Sequence, residues 1–211
     1  MLNMNTAYFS NVAQLARRFI ADLKLAKEPP QDLDSTTVGL RARMQPMCLE
    51  LGSQIRVLET ERLRFKGRMG KGATGLNTVG MLCDRLTILL MKEWSIENRG
   101  KWDSGAARAL RETQTDDIIN ALELAVPGSA STPAKITHLR GGASAEDWAA
   151  AFCGLLAANV LLWESQELLY TRDIDLVSSS ELRTYIKWFA KGNMERNEYI
   201  QLSERHFWST E

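Results

Sequence analysis

Residues that build covalent or metal-dependent chemistry are scarce in this chain. It holds three cysteines and two histidines among 211 residues. Cys48, Cys83 and Cys153 are an odd set, far apart and each among apolar neighbours, as buried free thiols of a reducing compartment are. A catalytic thiol needs a histidine beside it, and only His138 and His206 exist. No Cys or His pair has zinc spacing, so neither a metal nor a cofactor is expected. A surplus of one charge is missing too: 26 basic residues stand against 26 acidic ones. A protein whose main partner is DNA, RNA or an anionic membrane usually carries a basic surplus, so the balance argues against nucleic acid. No apolar run approaches the roughly 20 residues of a membrane span. Charges interrupt any apolar run at the N-terminus, where a secretory signal would lie. The expectation is a cytoplasmic protein. A chain of this length buries about 70% of its unfolded surface and needs no disulfide or metal staple.

Strand alternation, internal repeats and low-complexity tracts are absent as well. Helical periodicity is what remains. Phe9, Val12, Ala16, Phe19, Ile20 and Leu23 predict an amphipathic helix from Asn5 to Lys27, ended by Glu28-Pro29-Pro30. Residues 1–30 thus read as an N-terminal amphipathic helix that can stand as an extension, and 38–208 as a helical bundle domain. An amphipathic helix beyond a Pro-Pro linker, on a chain without net charge, is suited to docking on a neighbour, so a homo-oligomer is expected.

Met47, Leu51, Ile55, Leu58 and Phe65 mark the second helix, with Pro46 in its first turn. Leu40 and Met44 extend its apolar face before a kink. Gly67 to Gly75 is a glycine-rich loop, and Thr74 or Asn77 can cap the helix that follows. Lys71 and Thr74 there form a weak anion-binding candidate at a helix N-terminus; the P-loop spacing is absent and no strand precedes. Leu76 to Asn98 is apolar nearly all round, which predicts a central, most buried third helix. A fourth helix spans Ser104 to Ala125, with a break near Thr113 to Thr115, and Val126 to Gly142 is a long loop. Ser144-x-x-Asp147 resembles a capping box opening a fifth helix that runs to about Tyr170. Ser178-x-x-Glu181 opens a sixth, running through Leu182, Tyr185, Ile186, Phe189 and Ile200 toward Phe207. The fold class is all-α: a helical bundle of about six helices with a buried central third helix.

Three helices place polar residues on their own apolar stripes. Asp84 falls beside Met81 and Ile88 on the third, with Lys92 two turns along. Asn159 and Gln166 lie within the stripe of the fifth, flanked by Trp163. Asn193 and Arg196 fall inside that of the sixth, with Asn197 at its edge. A buried arginine needs an anion and a buried amide needs several hydrogen bonds. One reading is a satisfied structural network, with Arg196 paired to Asp84 or Glu164. The other is a polar pocket between helices, open to a small anionic ligand or a sugar. Asp84, Lys92, Asn159, Trp163, Glu164, Asn193, Arg196 and Asn197 are the candidate ligand-binding residues.

The same residues carry a resemblance. Gly80-Met-Leu-Cys-Asp84-Arg85-Leu86-Thr87-Ile88-Leu89, with Lys92, resembles the G-x-L-x-D-[KR]-[LI]-[ST]-I-L-x-x-K segment of a bacterial helical family catalogued only as a domain of unknown function. Asn159-x-x-Leu162-Trp163 resembles its N-x-x-L-W element, and Asn193-x-x-Arg196-Asn197-Glu198 its terminal N-x-x-R-N-[DE] element. Order and spacing agree over about two thirds of the chain. The family tends to carry Glu-Asp at the third and fourth positions after the Trp, where this chain has Gln166 and Glu167. Tyr170 replaces an Arg expected soon after, with Arg172 nearby. The resemblance implies an all-α fold and, loosely, a setting in bacterial cell-envelope glycan metabolism. It implies no reaction.

Two functions compete on these observations. One is a non-catalytic protein that binds a ligand or partner, as an accessory to glycan assembly. The other is an enzyme acting on a phosphorylated or nucleotide-linked sugar, with Asp84 or Glu164 as base and Arg196 or Lys92 holding the anion. Glu164-x-x-Glu167 matches half of the magnesium motif of all-α nucleotide pyrophosphatases, but no E-x-x-D follows. Nucleic-acid binding through the basic segment from Arg41 to Lys71 is a third reading, opposed by the neutral charge and the poor aromatic interleaving there.

Overall fold

Helices form here because the segments carry apolar stripes, and three of them have a chemically defined start. In a computed structural model, which describes residues 8–28, 32, 33, 35–64, 78–100, 105–123 and 142–208, the described residues hold six α-helices and no strand. They are α1 (Tyr8–Asp22), α2 (Leu40–Arg64), α3 (Val79–Arg99), α4 (Gly105–Glu123), α5 (Trp148–Thr171) and α6 (Ser179–Trp208). The chain is an all-α bundle.

The starts follow capping chemistry. The Thr78 hydroxyl accepts the Met81 N–H at 3.3 Å and opens α3. Thr74, Asn77, Lys71 and the rest of the 67–75 loop lie outside the described residues, so the weak anion site assigned to Lys71 and Thr74 has no structural account. The 126–142 loop also lies outside them, except for Gly142. Asp147 caps α5 by accepting the Ala150 N–H at 2.8 Å. Ser144 is not the cap, because Asp147 is itself the extended residue before the helix, which starts only at Trp148. α6 opens with a full capping box: Ser178 Oγ accepts the Glu181 N–H at 3.2 Å, and the Glu181 carboxylate accepts the Ser178 N–H at 3.1 Å.

Other expectations are corrected. Pro46 sits inside α2, not in its first turn, because the helix begins at Leu40 after a π-helical turn over Ser35–Gly39. Leu40 and Met44 before the proline and Leu51 and Ile55 after it are buried, so the helix is anchored in the core on both sides of Pro46. α4 runs unbroken through Thr113, whose hydroxyl turns back onto the Ala109 carbonyl at 3.0 Å. On α6 Ile186 is exposed, and its neighbour Tyr185 takes the inner position. The Tyr185 ring stacks on Phe189 and its hydroxyl donates to the Ser165 carbonyl.

α3 and α5 both run through the interior of the bundle, and α5 is the more buried of the two. α5 buries 16 of its 24 residues and packs against α2, α3 and α6, whereas α3 buries 13 of 21 and packs against α1, α4, α5 and α6. Alanines at 149, 151 and 158 fill the sides of α5 that its large residues leave open. α6 comes closest at two glycines. A Cβ on Gly154 would sit 2.1 Å from the Tyr199 ring, and one on Gly80 would sit 2.1 Å from the Ile200 carbonyl oxygen. By length and mean hydropathy α5 could cross a membrane, but 78% of its apolar window is buried inside the bundle, as in a core helix.

α1 belongs to this core. Tyr8 and Phe9 join Trp148, Phe152 and Phe207 in one aromatic cluster. The Phe9 N–H donates to Glu123 of α4 at 2.6 Å. α1 packs on α2, α3 and α4, so it is not an unattached apolar helix. The argument for a homo-oligomer from a docking N-terminal helix therefore loses its ground.

Candidate functional site

The polar residues on the apolar stripes resolve into two separate ion-pair networks and a cleft. The first network joins α3, α5 and α6. Asp84 is 3% exposed, and Arg196 holds its carboxylate with both Nε and Nη2, the first at 2.7 Å. Asn159 donates to the same carboxylate at 3.0 Å and to Thr87 Oγ1 at 2.8 Å. Thr87 in turn donates to the Asp84 carbonyl. A carboxylate with a bidentate guanidinium and an amide has its acceptor sites largely filled. Asn193 does not join: its amide donates to the Phe189 carbonyl one turn back. Asn197 is half-buried on α6 beside Arg196.

The second network explains Glu164. Its partner is Arg99 at the end of α3, at 2.8 Å, with the two side chains 1% and 5% exposed. Arg196 and Glu164 are therefore not a pair. Arg99 also donates to the Ala26 carbonyl, lies over the Trp94 ring at 4.9 Å and comes within 4.0 Å of Glu167. Gly100, in the left-handed conformation at φ 63°, ends α3. Asp84 and Glu164, the two candidate bases, are thus both held by arginines in the interior.

The cleft lies elsewhere, between α3, α4 and α5. Each helix lends it one face at the 3- and 4-residue spacing of a helical stripe. α3 contributes Leu89, Lys92, Ser95 and Ile96; α4 contributes Ala107, Leu110, Arg111 and Gln114; α5 contributes Trp163, Gln166, Glu167 and Tyr170. Its volume is about 950 Å³, in the range of sites for small organic ligands. Lys92 is exposed in its wall. Arg111 is only 7% exposed, and its Nε and Nη1 are buried with no acceptor among the described residues. Its one ionic neighbour among the described residues is Glu112 at 3.7 Å, a side chain 70% exposed. The Trp163 indole N–H is buried and likewise without an acceptor. Two candidates from the sequence, Lys92 and Trp163, therefore meet in this cleft. Asp84, Asn159, Arg196 and Glu164 belong to the ion-pair networks instead.

Arg111 is the residue the sequence reading missed. It shares a stripe with Thr115, Ile119 and Leu122, all buried. The rule that singled out Asp84, Asn159 and Arg196 would have found it on α4.

The basic segment is largely engaged where it is described. Arg41 is bidentate to Glu195, both bonds at 2.8 Å. Arg43 donates to the Leu23 carbonyl, and Arg56 binds Glu146 and Asp147. Burial pushes the Asp147 carboxyl up, but hydrogen bonds from Arg56 and the Ala150 N–H outweigh this and hold it below its usual value. Burial also pushes the Cys48 thiol up to about 11, and raises Cys83 and Cys153. Raised thiols of this kind are poor nucleophiles. Among the described residues no three His, Cys, Asp or Glu side chains gather as a metal set.

No family model, curated protein or solved structure matches the chain.

Proposed function

We propose that the protein binds a small organic oxyanion in the cleft between α3, α4 and α5, without transforming it. One observation carries the reading: Arg111, a nearly buried guanidinium with two N–H groups lacking acceptors, in the wall of a ligand-sized cleft. A buried cation without a full set of acceptors costs stability, and a site that accepts that cost is a binding site in waiting. Lys92 adds a second positive charge and Trp163 a flat wall. Glu167 is the single carboxylate among the described residues that line the cleft, and it faces Arg99. Binding is favoured over catalysis because Asp84 and Glu164, the candidate bases, are each tied to an arginine away from this wall. An accessory role in bacterial cell-envelope glycan metabolism rests on the sequence resemblance alone.

The test is a thermal-shift screen of organic phosphates and carboxylates, from sugar phosphates and nucleotides to aryl and alkyl phosphates, on the wild type and on Arg111→Met. A ligand at 100 times its Kd stabilises the folded state by about 2.7 kcal/mol, or roughly 5–10 °C for a chain of this size. The reading expects such a shift in the wild type and none in the variant. A screen in which no anion raises Tm, or in which the shift survives in Arg111→Met, refutes it.

A further inference from the structure

We infer that the ligand is an amphiphilic oxyanion, one phosphate or carboxylate head on an apolar body, and not a polyhydroxylated anion. This rests on the cleft being the binding site. The orphaned polar atoms fix the head. Arg111 Nε and Nη1 and Trp163 Nε1 can only donate. A group that reaches them from the cleft must therefore be rich in acceptors and poor in donors, as an ionised phosphate or carboxylate is. Lys92 in the same wall supplies the matching charge.

The walls fix the body. Leu89, Ile96, Ala107, Leu110, Trp163 and Tyr170 make the surface exposed to the cleft mainly apolar. Leu110 and Tyr170 stand 60% and 76% exposed, and both sit on stripes that face the cleft. Covering them stabilises a complex only if what covers them is itself apolar; hydroxyls laid over Leu110 would lose their water without gaining partners. At about 25 cal/mol per Å², each ~55 Å² of apolar surface covered is worth about tenfold in affinity. Trp163 and Tyr170 lie two turns apart on one face of α5, a spacing of roughly 10 Å. A planar or chain-like body can run along both while its head stays with Lys92 and Arg111.

The experiment measures affinity by calorimetry for four probes: inorganic phosphate, phenyl phosphate, hexyl phosphate and glucose 1-phosphate. The proteins are the wild type, Leu110→Ser/Tyr170→Ser and Arg111→Met. The expected result is that phenyl or hexyl phosphate binds the wild type at least tenfold tighter than both other probes. Which of the two wins tells an aryl body from an alkyl one. The Leu110→Ser/Tyr170→Ser protein loses that advantage but keeps the weak phosphate affinity, and Arg111→Met loses binding of all four. Because both replaced side chains are largely exposed, the double variant folds, and an unchanged circular dichroism melt confirms it. Glucose 1-phosphate binding as tightly as the apolar phosphates, with Arg111 dependence intact, overturns this inference and leaves the oxyanion site standing. An apolar advantage that survives the double variant also overturns it. Binding of any probe that does not depend on Arg111, or no binding at all, overturns the site and the inference with it.

Discussion

Replacing Arg196 with Met tests whether the Asp84 network is structural. In the wild type the Asp84 side chain is 4% exposed and Arg196 26%. The substitution removes two charge-assisted hydrogen bonds and strands a carboxylate with only the Asn159 amide beside it. Breaking a buried pair from one side costs roughly 3–5 kcal/mol. Solvent reaches the outer edge of Arg196, so the lower end applies, about 3 kcal/mol. At 2–4 °C per kcal/mol for a chain of this length, Tm should fall by roughly 6–12 °C. Urea unfolding followed by circular dichroism gives the free energy directly. Asp84→Leu/Arg196→Met removes both charges and keeps similar volume, so it should recover most of the loss, and the double-mutant cycle should return a coupling of about 2 kcal/mol or more. A single-variant loss under about 1 kcal/mol, with no coupling to Asp84, would show that the pair is a solvated contact, and the structural reading would fall.

Three further outcomes are expected. Gly80→Ala should cost more than about 3 kcal/mol, because its new methyl meets the Ile200 backbone oxygen; Gly154→Ala should cost less, because a Tyr199 ring can turn where a backbone cannot. Equal losses measured by urea unfolding would contradict this. The Asp147 carboxyl is held below its usual value in the folded protein, so its stabilisation is present above about pH 4 and lost as pH falls through the folded value. The Tm gap between wild type and Asp147→Ala should therefore be widest near neutrality and shrink below about pH 4; a gap constant to pH 2.5 would be the wrong result. Cys83 and Cys153 are buried and Cys48 is partly covered, with all three thiols raised by burial. The native protein should react slowly with a thiol reagent, Cys48 first, and rapid labelling of all three without denaturant would contradict the burial.

The helices were legible because 3.6-residue spacing of Phe9, Val12, Ala16 and Phe19, or of Leu82, Leu86 and Leu89, is a local signal. Asp84, Asn159 and Arg196 were legible for the same reason: each interrupts a stripe, and an interrupted stripe needs a partner. The partner of Glu164 was not. Arg99 lies at a helix C-terminus, where arginines are commonly solvated, and only the chain at Ala26 returning over it makes that position interior. The burial of α3 was legible because it is apolar on two sides, while the alanines of α5 gave no comparable signal. Small side chains mark a packed helix only once its neighbours are placed. The cleft was illegible as a whole: Lys92 and Trp163 could be singled out, but a cavity depends on how three helices sit together, and no spacing within one helix records that.

The bond from the Phe9 N–H to Glu123 joins residues 114 positions apart, and the Arg196–Asp84 pair spans 112. These separations bear on the order of assembly. α5 and α6 are joined by the short 172–178 link and pack on each other along most of their length, so their hairpin closes at little entropic cost. α1 can dock only after α4 and the aromatic cluster of Trp148 and Phe207 are in place. Helical proteins dominated by local contacts fold in microseconds to milliseconds. Here α1, which packs on α2, α3 and α4, docks last, so shortening it should speed unfolding far more than it slows folding.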